Sequence, residues 1–183
     1  MWTIIIIVAA VVVVAAIALT MRTITRRRHL QEQFGPEYER AVEAEQSRGA
    51  AERDLKEREE RHESLEIRPL PSTVRDRYAR DWANVQEHFV DSPDQAVGEA
   101  DRLVTTLMSE RGYPTENFEQ QQRDLSVEHA RTLDHYRIAH EINGRAGSRD
   151  TTTEELRSAM VHYRALFEEL LRDDTDSPDE ERR

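Results

Sequence analysis

Residues 4–19 contain no polar side chain, running through four isoleucines, Val8, Ala9, Ala10, four valines at 11–14, Ala15, Ala16, Ile17, Ala18 and Leu19. As a helix rising 1.5 Å per residue, a run of about twenty apolar residues matches the roughly 30 Å hydrocarbon core of a bilayer. The eleven Ile, Val and Leu side chains among them sum to about −3 to −7 kcal/mol of insertion free energy, with no charge in opposition. A 183-residue chain has too few other helices to wrap this hydrocarbon on all sides. Residues 1–21 therefore read as a transmembrane helix, and the lipid bilayer is the first expected partner.

The next residues set the direction. Arg22, Arg26, Arg27, Arg28 and His29 follow the apolar run, with no acid before Glu32, while only the terminal amine precedes it. Basic residues near a span end are retained on the cytoplasmic side. The reading is a single-pass cell-membrane protein with its C-terminal body in the cytoplasm. The four arginines set topology and are also candidates for contact with anionic lipid, at about 1 kcal/mol each. The alternative is export after cleavage, since Ala16-Ile17-Ala18 satisfies the small-x-small rule. A charged segment ahead of the run is missing, however, and the basic cluster would lie beyond the cut.

Beyond the anchor there is room for one domain of about 100 residues. The net charge of −11 argues against nucleic acid as a partner, because phosphate binding requires a basic face. The absence of cysteine excludes disulfides, thiolate metal sites and a cysteine nucleophile. Charged residues make up 34% and aromatics 6%, a composition suited to long solvated helices.

Residues 22–36 form a basic juxtamembrane segment, with Gly35-Pro36 as a helix stop and restart. Residues 37–68 are dominated by Glu, Arg and Ala, with a thin apolar stripe of Tyr38, Val42, Leu55 and Leu65. This predicts a charged helical stalk, with a weak self-associating coiled coil as the alternative. Pro69 and Pro71 end it.

Residues 72–171 read as the folded body. Val74, Tyr78, Trp82, Val85 and Phe89 share one helix face, and Ser92-Pro93 restarts the chain, with Gln95 completing a capping box. Ala96, Val97, Ala100, Leu103, Val104, Leu107 and Met108 form a second face, ended by Gly112 and Pro114. Residues 115–125 are expected as a short helical turn or ordered loop, and a further helix at about 126–143 carries Leu133, Tyr136 and Ala139. Thr151 with Glu154 opens the last helix, whose face runs from Leu156 to Leu170. No alternating strand pattern occurs outside the apolar run. The fold class expected is all-α: an antiparallel bundle of about four helices behind an anchor and stalk. Residues 172–183 have no apolar side chain and read as a disordered acidic tail.

No phosphate loop, dinucleotide fingerprint or nucleophile elbow is present, and neither a catalytic residue, a cofactor nor a metal is implied. What stands out is a histidine concentration, His129, His135 and His140 on one expected helix and His162 on the next. His129, Tyr136, His140 and His162 are the weak candidates for a metal-binding or enzymatic site. His129 and His140, eleven residues apart, would lie about 16 Å apart along one face, too far to share an ion. A structural reading stands beside it. His135-Tyr136-Arg137 with Glu141 recurs as His162-Tyr163-Arg164 with Glu168, which would align His140 with the core position Phe167 and put His135 and His162 at the core rim. Arg137/Glu141 and Arg164/Glu168 would be surface pairs worth little.

From Asp81-Trp82 onward, the residues Phe89-Val90-Asp91, Ala100-Asp101-Arg102-Leu103-Val104, Arg111-Gly112-Tyr113-Pro114, His135-Tyr136-Arg137 and His162-Tyr163-Arg164 resemble a family of N-terminally anchored bacterial membrane or secreted proteins with no assigned activity. The resemblance implies a folded domain behind an anchor and carries no ligand or catalytic residue. The function expected is that of a membrane-tethered interaction or scaffolding protein, with a protein partner or self-association. A tethered metal-binding or enzymatic domain and a structural spacer are the alternatives.

Overall fold

A computed structural model describes residues 2–148 and 151–172, and for residues 3–12 and 19 the backbone alone. Among the described residues there are eight α-helices and no strand. The chain divides into two compact units, Met1–Glu57 and Arg58–Arg183.

In the first unit α1 (Trp2–Phe34) is one continuous helix. Among the described residues no helix is long and apolar enough to cross a membrane. The run of residues 4–19 falls largely on positions whose side chains lie outside that description. Of those described, Val13, Val14, Ile17 and Met21 are exposed. Gly35 breaks the helix as expected, at φ +46°, and Pro36 opens α2 (Pro36–Ala44). The single helix anticipated over residues 37–67 is two. Glu45 turns to an extended conformation, and α3 (Arg48–Glu63) starts behind Ser47, whose Oγ accepts from the Ala50 N–H at 3.2 Å. The sparse apolar residues explain the break. A straight stalk would leave them in water, whereas here Leu30, Phe34, Tyr38, Ala41, Ala51 and Leu55 are all buried. The Tyr38 hydroxyl donates to Glu52 at 3.0 Å, tying α2 to α3.

The second unit holds five helices after α3: α4 (Ser72–Asp91), α5 (Pro93–Arg111), α6 (Phe118–Glu128), α7 (Leu133–Arg145) and α8 (Thr153–Leu171). The three longest are those whose apolar faces were clearest in sequence. α8 packs on α7 and α5, and α4 packs on α5. The contacts give the directions. His88–Glu99 and Arg77–Glu110 make α4 and α5 antiparallel, and His135–His162 with His129–Glu169 does the same for α7 and α8. By contrast Asp101–Tyr163 and Arg111–Leu170 show that α5 and α8 run the same way. The four long helices α4, α5, α7 and α8 thus alternate in direction, and the second and fourth of them run parallel. Small residues at the close approaches, Ala96, Ala100, Ala139 and Ala159, are fully buried.

Three local readings shift. The stretch expected as a turn over residues 115–125 is the helix α6, because the Asn117 side chain caps it by accepting from the Gln120 N–H at 3.0 Å. The capping box opening α8 lies one residue later than read, at Thr152 and Glu155. Ser92 precedes Pro93 as expected but makes no side-chain cap bond. Of the acidic tail at 172–183, all but Arg172 lies outside the described residues.

Gly112 ends α5 in the left-handed region, at φ +102°. A Cβ there would lie 2.4 Å from the Glu66 carbonyl oxygen, next to the point where the Arg68 N–H bonds the Arg111 carbonyl. Both the dihedral and the backbone contact demand glycine. Gly112→Ala is expected to cost about 2 kcal/mol or more, while Gly144→Ala, which meets nothing within 4 Å, should be neutral or stabilise by up to about 1 kcal/mol. Urea unfolding of the full-length chain in detergent, followed by far-UV dichroism, checks the contrast.

Candidate functional site

The four histidine-region candidates separate into distinct environments. His129 is not on the helix of His140; it caps the C-terminus of α6, and residues 129–132 divide α6 from α7. It is 6% exposed, with Nδ1 2.8 Å from Glu169 of α8 and Nε2 3.2 Å from the Tyr113 hydroxyl. That hydroxyl donates to Glu128 at 3.0 Å. Burial works to raise the Glu169 carboxyl, but the hydrogen bonds and charge of His129, with help from Thr132 and Arg172, outweigh it and hold the group low. Glu169, His129 and Tyr113 thus stand in the order of an orienting carboxylate, a base and a hydroxyl. The hydroxyl is buried and already shared with Glu128, so it presents no attacking atom to a substrate.

His140 is half-exposed, not a core residue like Phe167. Its ring stacks on Phe118 at 3.7 Å, and Nδ1 lies 3.3 Å from Asp101 of α5. Asp101 also accepts from the Tyr163 hydroxyl at 2.7 Å. Tyr136 is buried and donates to Gln121 at 2.8 Å. Burial, reinforced by the Asp101 charge, pushes both phenols well above the ordinary value. They act as neutral hydrogen-bond donors.

His162 faces His135, with Nδ1 to Nδ1 at 2.7 Å and both rings half-buried at the rim of the α7–α8 contact. In this bond one nitrogen must carry a hydrogen and the other must be bare, so both rings cannot be protonated while it lasts. Among the described residues no three His, Asp or Glu side chains converge to hold a metal. The expected Arg137–Glu141 pair is replaced by Arg137 bonding Asp134 and Gln122, with Glu141 facing Arg145. Arg164–Glu168 forms as read, on the surface.

Sequence reasoning missed a groove on the α4–α8 side. Trp82, Phe89, Met160 and Val161 line it and Gln86, Arg157 and Arg164 edge it, enclosing about 210 Å³. Trp82 stacks on Phe167 with ring centres 4.7 Å apart, and its indole N–H is buried with no hydrogen-bond partner among the described residues. Val161 is 63% exposed, although an apolar residue on the outer face of α8 could have flagged it. The volume falls below the 300–1,000 Å³ of small-molecule sites and suits one or two inserted side chains. Arg157 and Arg164 lie on exposed ion pairs with Glu154 and Glu168, which exchange readily.

The arginines of the juxtamembrane segment divide as well. Arg22 and Arg26, with His29 and Lys56, line a groove of about 630 Å³ between α1 and α3. Arg27 is half-buried, near the Tyr38 hydroxyl, and Arg28 is exposed outside the groove. Comparison with protein-family models, curated proteins and solved structures finds no match to this chain.

The histidine pair gives a pH prediction. Burial, then the neighbouring His135, lowers the pKa of His162 below the ordinary 6.5, so the unfolded chain binds this proton more tightly than the folded one. Stability from this group is intact above about pH 6.5 and is lost as pH falls toward the depressed folded value. Urea unfolding at pH 5 and 7.5 should show a larger loss on acidification for wild type than for His162→Gln. Equal losses would contradict the assignment.

Proposed function

We propose that the chain is a single-pass, membrane-anchored interaction protein. Residues 1–21 would span the bilayer, the arginines after them would keep the body on the cytoplasmic side, and the helical body would dock a protein partner. The anchor reading is supported by the uninterrupted apolar run of residues 4–19 on a continuous helix and by the exposure of Val13, Val14 and Ile17. The observation that carries the docking reading is the α4–α8 groove. Its apolar floor is sized for inserted side chains, and its edge carries Arg157 and Arg164.

Those features suit an amphipathic helix that inserts an apolar residue beside Trp82 and sets carboxylates against the arginines, the helix-in-groove mode of recognition. An aromatic floor inside a polar, exchangeable rim is the usual anatomy of a binding hot spot. The Tyr113 hydroxyl beside His129 is buried and shared with Glu128, so the docking reading rests on the groove and not on that relay.

A photoreactive residue replacing Val161 in the full-length chain, irradiated in native membranes, should yield one discrete adduct. Arg164→Glu should weaken that adduct by roughly tenfold, the loss of about 1.4 kcal/mol. An adduct between two copies of the chain would make self-association the docking event. Failure to form any discrete adduct would leave a structural spacer as the better description.

A further inference from the structure

We infer that the groove between α1 and α3 is a binding site for a phosphate-bearing anion, and that its occupant is the headgroup of an anionic phospholipid. This rests on the anchor reading and gives the juxtamembrane arginines a specific geometry.

Arg22, Arg26 and His29 are spaced four and three residues apart on α1, which stacks them on one helix face. Lys56, the one lysine in the chain, comes to the same groove from α3, thirty residues beyond Arg26. A rule of topology requires charge only close to the span end. It does not require a second helix to fold back and add a cation beside Arg22 and Arg26. The breaks at Gly35 and at residues 45–47, which replace the expected stalk, are what make that return possible.

The position along the helix fits the same ligand. Arg22 and Arg26 lie three and seven residues past Leu19, or about 4 and 10 Å along the axis. With the apolar run spanning the hydrocarbon, those heights bracket the headgroup layer. The cavity, at about 630 Å³, falls inside the range of small-molecule sites. The Thr23 and Thr25 hydroxyls, also at the groove, donate to the carbonyls of Thr20 and Met21. The groove is therefore left with the guanidinium groups of Arg22 and Arg26, the Lys56 ammonium and the His29 ring as the groups that can donate to a phosphate.

Arg28 is the internal control. It lies only two residues past Arg26 and is exposed, but it does not line the groove. Bulk attraction to a charged surface would use it as readily as Arg26; a built site would not.

The full-length chain is reconstituted into vesicles of phosphatidylcholine containing phosphatidylglycerol, floated on a density gradient, extracted in non-ionic detergent and examined by native mass spectrometry. The expected result is phosphatidylglycerol retained over phosphatidylcholine, with Lys56→Gln and Arg26→Gln each reducing that preference roughly fivefold and Arg28→Gln leaving it unchanged. No preference in a chain that floats would overturn the site while leaving the anchor standing. Equal losses from Lys56→Gln and Arg28→Gln would overturn it in favour of bulk charge. Displacement of the lipid by millimolar inorganic phosphate would reassign the groove to a free phosphate. A chain that does not float with either lipid would remove the anchor reading itself, and the lipid occupant with it.

Discussion

The apolar stripe of α8 is the surface on which the larger unit is assembled. Leu156, Ala159, Met160, Tyr163, Leu166, Phe167 and Leu170 are all buried, and they meet α7 on one side and α5 on the other. Each large side chain contributes about 1.5–3 kcal/mol by leaving water, but that force has no direction. Polar contacts set the register. Asp101 receives the Tyr163 hydroxyl midway along the α5–α8 contact, and at its end the fully buried Arg111 donates to the Leu170 carbonyl at 3.0 Å. That guanidinium lies in the last turn of α5 and against the last turn of α8, where the carbonyl ends of both helix dipoles favour a cation. Sliding α8 by one turn would strand a buried charge without its acceptor, at a cost of several kcal/mol.

Burying one stripe of α8 commits its opposite side to solvent. Arg157, Val161 and Arg164 are on that side, and the neighbouring α4 contributes Trp82 and Phe89, so the packing that stabilises the bundle also creates its groove. Trp82 belongs to both, stacking on the core residue Phe167 while lining the groove. In the smaller unit a comparable economy appears. Folding α2 and α3 back buries six apolar residues and brings Lys56 to Arg22 and Arg26. On the readings proposed above, the two units would offer two recognition chemistries, one for an apolar side chain flanked by acids and one for phosphate.

Helical periodicity carried much of this into view. The faces on α4, α5 and α8 repeat at three and four residues over about five turns each, and their buried sets are largely those read from the pattern. Short elements were harder. α6 depends on the Asn117 cap and on long-range packing, so a reading from apolar spacing alone joined its end to α7 and placed His129 on the wrong helix. The partners of the histidines were invisible for a different reason. Glu169 lies 40 residues from His129, and Asp101 lies 39 from His140, and no local pattern marks a carboxylate as the partner of a distant imidazole. The repeat of His-Tyr-Arg did put His135 and His162 at a rim, where the antiparallel α7 and α8 place them face to face. For His140 it gave a partly buried, hydrogen-bonded place in line with Phe167; the ring is partly buried between Phe118 and Asp101, but more exposed than Phe167.

The central claim is that residues 1–21 hold a helical docking module to a bilayer, and alkaline carbonate extraction of membranes containing the full-length chain tests it most directly. The account predicts that the chain stays with the membrane pellet and that replacing both Val13 and Ile17 by arginine releases it, since two charges in the hydrocarbon offset about 5–7 kcal/mol of insertion free energy. Release of the unaltered chain into the supernatant would contradict it.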